Sequence, residues 1–182
     1  MSDARTGEPR ILVAGIGNIF FGDDAFGCEV VRRLGQRSLP PEVRVVDFGI
    51  RGLDLAYAML ENYELIVLVD AAPRGEEPGT LYVIEPAAAA ESEPPEAAAT
   101  AGPSIEMHSL TPAKVLEVAA MWGGPRGRVI VVGCEPTPLA DPDDMQMELS
   151  EPVRAAIDAA GSLVESLILQ HAPTGLRPLG AT

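Results

Sequence analysis

The chain has 182 residues, 47% of them hydrophobic and 22% charged, which is enough for one domain with a full-sized core and excludes general disorder. Its 27 acidic residues against 13 basic ones leave a formal charge of −14, the wrong sign for a nucleic-acid binder, whose affinity rests on a basic stripe. No stretch approaches the eighteen or so apolar residues of a membrane span, and the start MSDARTGEPR lacks a signal-peptide core, so a cytoplasmic protein is expected.

Residues 1–9 read as a loose lead-in. ILVA at 11–14 is an apolar run long enough for a buried strand and too short for a helix. Gly15, Gly17 and Asn18 tolerate the positive φ values of a sharp exit from a sheet. Phe20-Phe21-Gly22 and Asp23-Asp24 come next, then a helix expected over 25–36, with Val30, Val31 and Leu34 at helical spacing. An aspartate at its start would accept backbone N–H groups and suit the helix dipole. The turn invites comparison with the dinucleotide fingerprint G-x-G-x-x-G, but the third glycine would be residue 20, which is Phe20. Two carboxylates beside a helix N-terminus also repel a phosphate. A cation is the more natural guest, although one capping and one solvated aspartate would equally account for the pair.

A second strand is expected over 43–48, followed by a turn at Gly49 and Gly52 and a short helix over 53–60. LIVLV at 65–69 is a continuous apolar run of the kind a strand buried on both faces needs, and it ends abruptly on Asp70. The order β-α-β-α-β implies a parallel sheet with helices on its faces. Ligands in such sheets bind beyond the carboxyl ends of the strands, where strand order reverses. Asp24 and Asp70 should both lie on that rim, with Asp47 a weaker candidate. Nine residues separate Asp70 from Thr80, too few for a helical crossover, so the strand over 80–84 should run antiparallel, at an edge or beside the third. The expected fold is thus a single three-layer α/β domain over 1–182, with a twisted, mostly parallel five-stranded sheet, one strand antiparallel, flanked by helices.

The Ala/Pro/Glu-rich stretch 86–104 reads as a mobile loop. Directly after it comes MHSLTP at 107–112 and a helix over 113–121, with Thr111 as its cap and Pro112 in its first turn. This places His108, one of two histidines, at a helix mouth; the other, His171, trails the last helix. A fifth strand over 129–132 runs into Gly133-Cys134-Glu135-Pro136. An acid- and proline-rich loop then leads to a helix opened by Ser150 and Glu151-Pro152 and running to about residue 170. The tail 172–182 should be disordered. Cys28 and Cys134 lack a C-x-x-C spacing and read as small buried hydrophobes.

Asp24, Asp70 and His108 should therefore share one edge of the sheet. Two carboxylates and an imidazole can bind a divalent first-row metal and leave positions open for other ligands. The segments GIGNIFFGDDAFG, LIVLVDAA, MHSLTP and VVGCEP together resemble the hydrogenase maturation proteases, over about residues 11–170. The resemblance implies an endopeptidase that removes a C-terminal extension from a nickel-iron hydrogenase large-subunit precursor after nickel insertion. It also implies a metal site made by Asp24, Asp70 and His108, which serve as the candidate catalytic residues, with Asp23 a possible substitute for Asp24. Nickel carried by the precursor would be the recognition signal and need not be retained by the isolated protein. Where some members carry a D-G-G-T-like segment, this chain reads Asp47-Phe48-Gly49-Ile50-Arg51-Gly52. Neither cysteine has a histidine nearby in sequence, so no nucleophilic triad is indicated; a metal-polarised water with Asp24 or Asp70 as base fits better. A monomer that binds neither nucleic acid nor membrane is expected. Two other readings use the same residues: a non-catalytic nickel-dependent chaperone for the precursor, and a dinucleotide-binding oxidoreductase with Asp47 on a ribose.

Overall fold

The computed structural model describes residues 10–86, 111–138 and 148–171. Five strands, β1 (Ile11–Ile16), β2 (Val43–Gly49), β3 (Leu65–Ala71), β4 (Leu81–Ile84) and β5 (Arg128–Cys134), alternate with four helices. These are α1 (Phe26–Leu34), α2 (Gly52–Ala58), α3 (Pro112–Met121) and α4 (Glu151–His171). The strands form one sheet in the order β2-β1-β3-β5-β4. All neighbours are parallel except β4, which pairs antiparallel with β5, Leu81 opposite Cys134 and Ile84 opposite Val131. The short connection after Asp70 thus does yield an antiparallel strand, and it occupies the edge outside β5.

Every residue of β1 is buried, as is all of β3 up to Asp70, because helices cover both faces of the sheet. Ile11, Val13, Val67 and Val69 face Phe26, Val30 and Leu34 of α1 and Ile157, Val164 and Ile168 of α4. On the other face Leu12, Ala14, Ile66 and Leu68 meet Leu55 and Ala56 of α2 and Val115 and Ala119 of α3. The chain leaves β1 toward β2 and then steps back across β1 to β3. Right-handed crossovers therefore put α1 and α2 on opposite faces, and the reversal of strand order falls between β1 and β3.

The 86–104 loop falls, from residue 87 onward, outside the described residues, as do the lead-in 1–9, the tail 172–182 and the stretch 139–147. Helix α1 differs from expectation in one respect that matters for the site. Asp23 and Asp24 lie in a separate 3-10 turn, Gly22–Ala25, ahead of it, and the N-cap position of α1 is Ala25, with no side-chain cap bond. Neither aspartate caps α1.

Candidate functional site

The rim at the carboxyl ends of β1 and β3 is set by close backbone packing. Gly17 leaves β1 with φ +136°, and a Cβ there would stand 1.8 Å from the carbonyl oxygen of Asp24. At Gly27, in the first turn of α1, a Cβ would lie 2.1 Å from the carbonyl oxygen of Val69 and 2.3 Å from that of Ile16. Both positions need glycine because the backbone of the 3-10 turn and of α1 rests directly on the strand ends. This contact carries Asp24 to the place where β3 delivers Asp70.

Asp24 stays exposed, with Oδ2 accepting the backbone N–H of Asn18 at 2.7 Å. Loss of water around the carboxyl nonetheless raises its pKa, against the lowering effect of that N–H. Asp70 is 5% exposed. Burial, and then the charge of Asp24, push its pKa up to about 8, partly offset by the backbone N–H of Ala71. The two carboxyl groups therefore share one electrostatic environment in which each additional negative charge is disfavoured. His108 lies outside the described residues, so the third member of the expected set has no position here. Among the described residues no group of three His, Cys, Asp or Glu side chains is placed to hold a metal ion.

Two carboxylates in the rim proved structural. Asp23, only 8% exposed, reaches across to the exit of β5 and the start of α4. Its Oδ1 accepts the backbone N–H of Ser150 at 2.6 Å, and its Oδ2 accepts the backbone N–H of Thr137 and the Ser150 hydroxyl, each at 2.8 Å. Ser150 is the N-cap of α4, its carbonyl accepting the Arg154 N–H. Glu135 is buried and accepts the Tyr82 hydroxyl and the backbone N–H groups of Arg74 and Gly75. The Tyr82 hydroxyl is the first cause holding its carboxyl below the usual range, and the backbone N–H groups add to it. Glu135 thus anchors the loop that leaves Asp70. Sequence reading placed Asp23 as an understudy for Asp24 and gave Glu135 no role, although the VVGCEP segment that contains Glu135 was a usable signal.

Asp47 does stand on the rim. With Asn18, Ile19, Phe20, Phe48, Gly49, Ile50 and Arg51 it lines an open groove of about 300 Å³ beside Asp24. Cys28 lies under the rim, its thiol 3.6 Å from the carbonyl oxygen of Gly17. Burial, a hydrogen bond with Asp47 and the charges of Asp47, Asp24 and Asp70 push its pKa up to about 12. Burial first, then Asp23 and Glu135, raise Cys134 to about 12 as well. Both are free and buried, as expected of small hydrophobes, and neither supplies a thiolate near neutral pH.

Among the described residues, the turn between β1 and α1 sets the Asp24 carboxylate on the Asn18 N–H, where a dinucleotide site presents bare N–H groups to a phosphate. Comparison with known proteins gives the family. The family described as hydrogenase maturation protease matches residues 28–167. The hydrogenase expression/formation protein HupD of Rhizobium leguminosarum bv. viciae is 36% identical over 153 residues, which cover 84% of this chain and 70% of that protein. Among solved structures, the hydrogenase maturating endopeptidase HybD from E. coli is 29% identical with a TM-score of 0.68, covering 90% of this chain and 94% of that one. The hydrogenase 2 maturation peptidase from Thaumarchaeota archaeon SCGC_AB-539-E09 is 31% identical with a TM-score of 0.60, covering 87% and 97%. The chain belongs to the hydrogenase maturation protease family. It is a hydrolase of the endopeptidase type, and none of its described helices is long and apolar enough to cross a membrane.

Proposed function

We propose that this endopeptidase removes the C-terminal extension of a nickel-iron hydrogenase large-subunit precursor once nickel is in place, and that Asp24, Asp70 and His108 engage the nickel the precursor carries. The observation that carries this reading is the pairing of Asp24 and Asp70 at the strand-order reversal. Each carboxyl is held above its ordinary pKa, Asp70 partly by the charge of Asp24, and a cation between them would reverse that penalty. Two carboxylate oxygens and an imidazole nitrogen suit a first-row divalent metal and leave coordination positions for precursor ligands. Nickel is cargo of the substrate in this reading, so only a loaded precursor completes the contact.

The chain's own residues then supply the proton chemistry. Asp24, exposed and holding the Asn18 N–H, is the carboxylate placed to take a proton from water as the water oxygen bonds to the scissile carbonyl carbon. Breaking the C–N bond returns that proton to the departing amine. Asp70 keeps its own proton near neutral pH until a cation draws it off. The protein works as a monomer in the cytoplasm.

Intact-mass analysis of a cognate precursor, loaded with nickel or nickel-free, tests the proposal. Loss of a C-terminal peptide from the loaded substrate alone is the expected result. Cleavage of both forms would remove nickel sensing, and tight binding without cleavage of either would favour a chaperone.

A further inference from the structure

Asp23 precedes Asp24 in the chain, yet its carboxyl is buried and engaged by residues more than a hundred positions later. Three hydrogen bonds join it to Thr137 and Ser150, and the Thr137 hydroxyl donates to the Ser150 hydroxyl at 2.8 Å. A carboxylate that is 8% exposed and accepts two backbone N–H groups and a hydroxyl is well satisfied. At the ends of the turn the Asp24 N–H reaches the Phe21 carbonyl and the Phe26 N–H reaches the Asp23 carbonyl. Asp24, the next residue of the same turn, carries an exposed carboxylate. A short turn with an exposed tip opens readily unless something outside it holds it.

We propose that Asp23 is a positioning residue. Its bonds to Thr137 and Ser150 fix the 3-10 turn to the β5 exit and the α4 N-terminus, and so hold the neighbouring Asp24 carboxylate in place at the rim. The inference rests on the reading of Asp24 as a site residue, and it also predicts an observable that needs no substrate. The Asn18 amide donates to Asp24 at 2.7 Å, so its proton resonance reports where the Asp24 carboxylate is.

The experiment compares 15N-labelled wild type, Asp23→Asn, Asp24→Ala and Ile168→Val, and measures precursor cleavage by the same proteins. Asn at 23 cannot accept all three donors, whereas Ile168→Val loosens the buried far end of α4 without touching the clamp. In Asp23→Asn the Asn18 amide resonance should move toward its Asp24→Ala position, and kcat should fall roughly tenfold or more with KM little changed. Ile168→Val should do neither. Should Asp23→Asn fail to fold, Ser150→Ala removes one of the three bonds and should give a smaller shift in the same direction. An unmoved resonance in the clamp variants, an equal shift in Ile168→Val, or a moved resonance with unchanged kcat would overturn the proposal. A moved resonance in a protein whose wild type leaves the precursor intact would instead overturn the protease reading and leave the clamp standing.

Discussion

Asp70 closes the most apolar strand of the molecule and carries a carboxyl whose pKa is pushed up to about 8 by burial and by Asp24. Between about pH 4 and pH 8 the folded metal-free chain therefore holds a proton there that the unfolded chain has released. Stability from this group is fully present at the low end of that window and is lost as pH rises through it. Asp70→Asn removes the ionisation, so its thermal midpoint in chelator should exceed that of wild type by about 5–10 °C at pH 8, a few kcal/mol for a domain of this size. The difference should close by pH 4; calorimetry showing equal midpoints at pH 8 would contradict it. Loss of the same carboxylate should abolish function, and precursor cleavage should drop about 100-fold or more in Asp24→Asn, Asp70→Asn and His108→Gln. Full activity in all three would remove the site. At the thiols, pKa values raised to about 12 mean that iodoacetamide at pH 8 should leave the folded protein unlabelled and modify both cysteines after denaturation, counted by mass.

Among the elements, α1 depends most on a single residue. A methyl group at Gly27 would press on the carbonyls of Val69 and Ile16, which are backbone and cannot turn aside. Gly27→Ala should cost on the order of 3 kcal/mol in urea unfolding, at the upper end of overpacking effects, and disturb cleavage too because α1 carries the Asp24 turn. By contrast Ile157, in the middle of α4 and 1% exposed, is a pure core group; Ile157→Ala should cost about 2–5 kcal/mol through cavity formation. The elements themselves were legible because their apolar runs are unambiguous: no polar residue interrupts 65–69, and nine residues after Asp70 leave no room for a crossover helix. The position of Asp70 on the rim followed from the same run, which it ends, and that of Asp24 from the turn after the first strand. The roles of Asp23 and Glu135 were not legible. Asp23 meets its partners 114 and 127 residues away, a separation that no local spacing encodes, and adjacency to Asp24 made the two look interchangeable. Helix α1 starts within one residue of expectation, and what the sequence did not separate is the 3-10 turn Gly22–Ala25 ahead of it, which sets both aspartates apart from the helix.

At the scale of the molecule, the described surface is uneven. Ile19, Phe20, Phe21 and Ile50 stand exposed around the rim, while ion pairs such as Arg33–Asp158 and Arg37–Glu165 lace α1 and the segment just after it to α4 on the outer layer. Such surface pairs contribute about 1 kcal/mol or less each, so the layers are held by the two apolar clusters either side of the sheet. At the opposite edge, where β3 and β5 begin, α2 and α3 end side by side, and Tyr57 stacks on Trp122 with ring centroids 4.4 Å apart and planes 14° from parallel. Trp122 is the one tryptophan in the sequence. The protein's own fluorescence is therefore a reporter on the α2–α3 seam, remote from the acidic rim: it will follow the parting of those helices during unfolding and stay silent when a ligand settles on Asp24 and Asp70.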